Sequence, residues 1–101
     1  MKHIIFTIKT AYSEENYFLT VNDNESIELQ IDKALAEICY CDNYEIISYT
    51  EVTKEYTEER NKAIVDYKNL FNESVENSFC SGKYTTLEAI KNDIAYRQNA
   101  W

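Results

Sequence analysis

The side chains best suited to chemistry in this chain are its carboxylates, its three cysteines and its one histidine. Acids fall close together at Glu14-Glu15, at Asp23 and Glu25, at Glu28 and Asp32, and at Glu58-Glu59. Glycosidic or metal chemistry would need two of them held at a fixed separation in a cleft, one with a displaced pKa. Nothing in their spacing distinguishes such a pair from a wet surface. Asp23-Asn24-Glu25 is too short for a calcium loop and has no glycine at the turn. Cys39-Tyr40-Cys41 lacks the two-residue spacer of a redox or zinc knuckle, so a zinc site would have to recruit Cys80 and His3 from distant segments. A small hydrolase could pair Cys80 or Cys39 with His3 as nucleophile and base, but no surrounding motif supports that pairing. A single glycine cannot build a dinucleotide fingerprint or a phosphate-cradling loop. The expectation is no catalytic residue, no metal and no cofactor.

Charge carries more information than motifs do. Ten basic against 18 acidic residues leave a net charge of −8. So negative a surface repels nucleic acid, whose binding rests on Lys and Arg neutralising phosphates, and attracts basic surfaces instead. Residues 1–50 hold nine acidic and three basic side chains, while residues 51–101 hold nine and seven. In the second half Glu58, Lys62 and Asp66 are spaced four apart and can satisfy one another on a helix. In the first half Glu25, Glu28 and Asp32 form an i, i+3, i+7 stripe with only Lys33 nearby, and Glu14, Glu15 and Asp23 add to it. An uncompensated acidic stripe can imitate a row of phosphates; the plainer reading is a solvated helix face with acids favoured at its start. Nine tyrosines are more than a small core can bury, and tyrosine is enriched in interfaces.

These residues need elements to position them. Residues 2–10 alternate, with Ile4, Phe6 and Ile8 on one side, and residues 17–21 alternate again, which predicts a hairpin with a loop of about six residues. Asn22-Asp23-Asn24 stops the second strand, and Ile27, Ile31, Ala34, Leu35 and Ile38 predict a helix over 25–39. Residues 44–52 read as a third strand. A long helix from 54 or 58 to 77 carries Ile64, Tyr67, Leu70, Phe71 and Val75 on one stripe. After the break at Gly82, Thr85 and Glu88 predict a capping box, and Leu87, Ile90, Ile94 and Trp101 a final helix. The order β-β-α-β-α-α predicts a single α+β domain over 1–101, with a small three-stranded sheet in the order 2-1-3 packed with three helices. Such a thin sheet has two open edges, either of which can pair with a partner or a second copy.

No apolar run approaches the roughly 20 residues of a membrane span, and the N-terminus lacks the pattern of a secretion signal. With an odd number of cysteines this predicts reduced thiols and a cytoplasmic protein that binds neither membrane nor nucleic acid directly. In overall character (short, acidic, tyrosine-rich, without proline, lacking a catalytic motif) the chain resembles small proteins of phages and mobile elements. Some of those inhibit host defence nucleases, including CRISPR and restriction enzymes. The resemblance spans the whole chain and has no diagnostic motif. The expected function is a non-catalytic inhibitor or regulator that binds a protein with a basic surface, in its sharpest form a DNA mimic blocking a nucleic-acid-binding enzyme. Its expected contact residues are Tyr12, Glu14, Glu15, Asp23, Glu25, Glu28 and Asp32. The alternative is a self-associating module, a homodimer through the second and third helices with Phe79 and Trp101 or through a strand edge.

Overall fold

The chain is α+β, and a computed structural model describes residues 1–99. It divides into two compact units, Met1–Val52 and Thr53–Trp101.

Alternation builds the first unit. In β1 (Lys2–Lys9) Ile4, Phe6 and Ile8 are buried, while His3, Ile5 and Thr7 between them are half-buried. β1 pairs antiparallel with β2 (Glu14–Val21), from Lys2 opposite Val21 to Lys9 opposite Glu14. β2 therefore starts three residues earlier than its apolar pattern predicts. Polar residues extend it because Glu14, Glu15 and Asn16 find cross-strand places opposite Lys9, Ile8 and Thr7, and the Thr7 hydroxyl donates to Asn16 Oδ1 at 2.6 Å. The loop shrinks to residues 10–13. There Thr10 Oγ1 accepts from the backbone N–H groups of Tyr12 and Ser13, both at 3.1 Å, a side-chain turn that threonine closes without glycine.

α1 (Ile27–Glu37) buries Gln30, Ile31, Ala34 and Leu35. Ser26 caps it, so Glu25 lies before the helix rather than in its first turn as the pattern predicts. Gln30 ties the helix to the end of β2: its Oε1 accepts from Asn22 N–H at 2.8 Å and its Nε2 donates to Asn22 C=O at 3.0 Å. The helix stops short of 39 in a left-handed turn at Cys39 (φ 56°). Cys39 N–H donates to Ala36 C=O and Tyr40 N–H to Leu35 C=O, the paired bonds of a Schellman ending. β3 (Glu45–Glu51) then lies antiparallel to the other side of β1, giving the order β2-β1-β3. Thr7 faces Ser48 while Ile8 faces Ile46, leaving Ile47 as the extra residue of a bulge.

The second unit is helical. α2 (Lys54–Phe71) is capped by Thr53 and ends at Asn72, whose φ of 55° is left-handed. The predicted extension to 77 is not made: a separate turn, α3 (Val75–Ser78), follows under a Ser74 cap, then a 3-10 turn over Gly82–Tyr84 and α4 (Leu87–Asn99). Leu70, placed on the buried stripe by its spacing, is half exposed; Ala63, Tyr67, Val75, Leu87 and Ile90 form the core. The predicted capping box is replaced. Thr86 rather than Thr85 accepts from the backbone, at Ala89 N–H, and Glu88 accepts from the Tyr56 phenol, whose oxygen in turn accepts from Leu87 N–H. Buried Arg60 fixes the segment before α4, its Nε donating to Thr85 C=O at 2.8 Å and its Nη2 to Lys83 C=O at 2.7 Å. Phe79, expected on a self-association surface, packs against the core with its ring 5.8 Å from that of Tyr67. Trp101, its expected companion, lies outside the described residues.

Candidate functional site

The division into units sharpens the charge asymmetry. Residues 1–52 contain ten acidic and three basic side chains, a net of −7, and the remainder eight and seven, a net of −1. The candidate surface therefore belongs to the first unit.

The structure sorts the expected contact residues into three kinds. Tyr12, 88% exposed, stands at the hairpin tip beside an open hollow of about 250 Å³ lined by Thr10, Ala11, Cys41, Asp42 and Asn43. Glu14 and Glu28 are exposed and make no ion pair or side-chain hydrogen bond among the described residues. The others have partners. Asp23 is 3.5 Å from the Met1 ammonium and Glu25 is 3.2 Å from Lys33 Nζ. Glu15 and Asp32 are held by phenols: Glu15 accepts from Tyr17 at 2.7 Å and from Tyr40, and Asp32 accepts from Tyr44 at 2.6 Å. The rings of Tyr40 and Tyr44 meet edge to face at 5.8 Å, so a continuous chain of contacts runs from Glu15 through both tyrosines to Asp32.

Two expectations change. Glu14 and Glu15 belong to β2, not to a hairpin loop, and Glu25 is not on the helical stripe. Asp23 follows the far end of β2 from Glu14, about 23 Å away at the usual rise per strand residue. The acids thus run the length of the β2–α1 layer instead of forming one row on the helix.

Spacing alone could not reveal Tyr40 and Tyr44. The hint was the excess of tyrosine and its clustering around Cys41-Asp42-Asn43. Their role has an electrostatic consequence. A phenol O–H orders a carboxylate without cancelling its charge, whereas an ammonium or guanidinium cancels it. The hydrogen bond to Asp32, then burial, push the Tyr44 phenol up to about 12. Burial, then Glu15, push Tyr40 up further. Both therefore remain neutral donors near neutral pH, and the negative charge stays.

The residues considered for catalysis are placed otherwise. His3 stacks on Phe18 with 5.7 Å between ring centroids, and its Nδ1 is 2.8 Å from Thr20 Oγ1. Cys39, Cys41 and Cys80 are free and exposed, with Cys41 Sγ donating to Cys39 C=O. Among the described residues no three His, Cys, Asp or Glu side chains are grouped to hold a metal ion, and no helix is long and apolar enough to cross a membrane. In the second unit an open groove of about 320 Å³ is lined by Glu59, Lys62, Ala63, Asp66, Lys91 and Ile94, its acids and bases intermixed.

Comparison with known proteins finds no matching family model, no similar curated sequence and no similar solved structure.

Proposed function

We propose that this protein is a non-catalytic binding protein that inhibits or regulates a partner by covering a basic surface on it. In the most specific version, the β2–α1 layer occupies a groove that otherwise holds nucleic acid. The observation that carries this reading is the way Glu15 and Asp32 are ordered: neutral phenols position them and leave their charge intact, in a unit of net charge −7. Glu28, which makes no ion pair or side-chain hydrogen bond among the described residues, adds an exposed charge on α1, and Tyr12 adds an exposed aromatic anchor, while Glu14 alternates to the other face of β2 from Glu15. Fixed charges suit recognition because little side-chain entropy remains to be lost on docking. The resemblance in character to anti-CRISPR and anti-restriction proteins supports the choice of a nucleic-acid-binding enzyme as partner.

The test uses the whole chain as bait in a lysate of its native host, with release by duplex DNA. Wild type is expected to retain a basic protein that DNA displaces. The Glu25→Lys, Glu28→Lys, Asp32→Lys triple variant, with its fold checked by circular dichroism, is expected to bind that protein at least tenfold more weakly, about 1.4 kcal/mol. Equal capture by the folded triple variant would end the reading.

A further inference from the structure

The two edge strands of the sheet are each paired only with β1, but they differ in side-chain exposure. In β2, Tyr17, Phe18 and Leu19 point to alternate faces and are only 6–7% exposed, so side chains are covered on both sides of that strand. In β3 five consecutive residues, Ile47 to Glu51, are exposed, among them Ile47 at 42% and Tyr49 at 44%. Beyond the pairing with β1, β3 makes no backbone or side-chain hydrogen bond among the described residues. A strand paired on one side only presents alternate N–H and C=O groups outward, a template for another strand.

The occupant of that edge follows from charge. β3 reads Glu45-Ile46-Ile47-Ser48-Tyr49-Thr50-Glu51 and contains no cation. Paired antiparallel over its whole length with a second copy, it would set Glu45 opposite Glu51 twice; paired parallel and in register, it would set each glutamate beside its own copy. Like charges directly opposite one another destabilise a strand pair, and two bodies of charge −8 repel on approach. An incoming strand with Lys or Arg near its ends meets neither penalty. Its central apolar side chains would lie against Ile47 and Tyr49, the exposed apolar residues of the edge.

We infer that the outer edge of β3 is a docking site for an extended, basic segment of a partner protein, which adds as a fourth strand beside Ile47–Glu51. The bulge at Ile47 limits the register, because the pairing with β1 shifts by one residue between Ile46 and Ser48. This inference does not rest on the β2–α1 surface. The two sites share the preference for a basic partner but use different residues.

A labelled heptapeptide, Lys-Thr-Val-Thr-Val-Thr-Lys, and its counterpart with Glu at both ends test the edge by fluorescence anisotropy at low salt. The Lys-ended peptide is expected to bind at least tenfold more tightly. Its binding is expected to slow amide exchange at Ile47–Glu51 and leave α1 unchanged. The Tyr49→Lys, Glu51→Lys double variant is expected to reverse the preference between the peptides. Three results would overturn the inference: no binding of the Lys-ended peptide, protection confined to α1, or a wild-type dimer in sedimentation that the double variant dissolves. The exchange measurement on wild type decides the matter even if the double variant fails to fold. The Glu25, Glu28 and Asp32 reversal leaves β3 intact, so failure of one site is distinguishable from failure of the other.

Discussion

Two ways of holding a carboxylate separate the halves of this chain. In Met1–Val52, Glu15 and Asp32 are ordered by Tyr17, Tyr40 and Tyr44. In the second unit tyrosines also reach acids, Tyr56 to Glu88 and Tyr67 to Asp93, but cations stand beside the acids as well. Arg97 lies 3.3 Å from both Glu73 and Asp93, and Lys91 is 3.8 Å from Glu59. The number of acids is similar in the two units, ten against eight, so acid content is not what makes one surface negative. The difference lies in the donor. A phenol gives order and preserves charge; a guanidinium gives order and removes it.

The contrast can be broken most easily at Arg60, where the second unit's use of cations as structure is strongest. Arg60→Met leaves two carbonyls without their buried donor and is expected to cost about 2–3 kcal/mol, read from amide exchange in α2. A loss below about 0.5 kcal/mol would mean that this cation is not structural. Arg97 is next. Its guanidinium lies 4.8 Å from the Phe71 ring centre and pairs with two acids, so Arg97→Met is expected to destabilise the second unit by less than Arg60→Met in the same exchange measurement and to make that unit more negative.

Helix endings sharpen the comparison with a gain instead of a loss. Both α1 and α2 stop through a left-handed residue, Cys39 in one and Asn72 in the other. Cysteine meets the full Cβ penalty there and asparagine is more tolerant. Cys39→Gly is therefore expected to stabilise the first unit by about 1 kcal/mol, and Asn72→Gly the second by about 0.3 kcal/mol, in urea denaturation followed by exchange. Equal gains would show that the two endings carry equal strain.

A small loss tests the phenols. Tyr44→Phe is expected to cost about 0.5 kcal/mol at neutral pH, since the bond is at the surface. Its pH dependence has a definite sign. The folded pKa, about 12, lies above the roughly 10 of an unfolded phenol. The contribution is therefore whole below pH about 10 and is lost as pH rises towards about 12, so the advantage of wild type over the variant should shrink and vanish within that window. Ultraviolet titration is expected to show one phenolate fewer near pH 12 in the variant, where Tyr56 still titrates. A step of unchanged height would place the shifted phenol elsewhere.

Much of the first unit was legible because its core faces repeat. Ile4, Phe6 and Ile8 predicted β1 within one residue, and Ile31, Ala34 and Leu35 predicted the buried side of α1. The start of β2 was not legible, since Glu14, Glu15 and Asn16 are strand residues only by virtue of what lies opposite them on β1. In the second unit Val75 continued the apolar spacing of α2, and the break at Asn72 was masked because asparagine is not obliged to turn left-handed. The candidate surface was legible as charge and as tyrosine excess. That the two belong to one arrangement was not, because Glu15 and Tyr40 are 25 residues apart.

By itself the sequence determined the α+β class, the sheet order and the concentration of negative charge in the first half, because periodicity and composition are local properties that a chain carries whatever its partners. Tertiary structure decided which acids keep their charge in a fixed place, which glutamates sit on strands, and which edge strand carries exposed apolar side chains. Each of those depends on groups brought together from distant segments: Glu15 on Tyr40, Glu14 on Lys9, and β3 on having β1 along one side and nothing among the described residues hydrogen-bonded along the other.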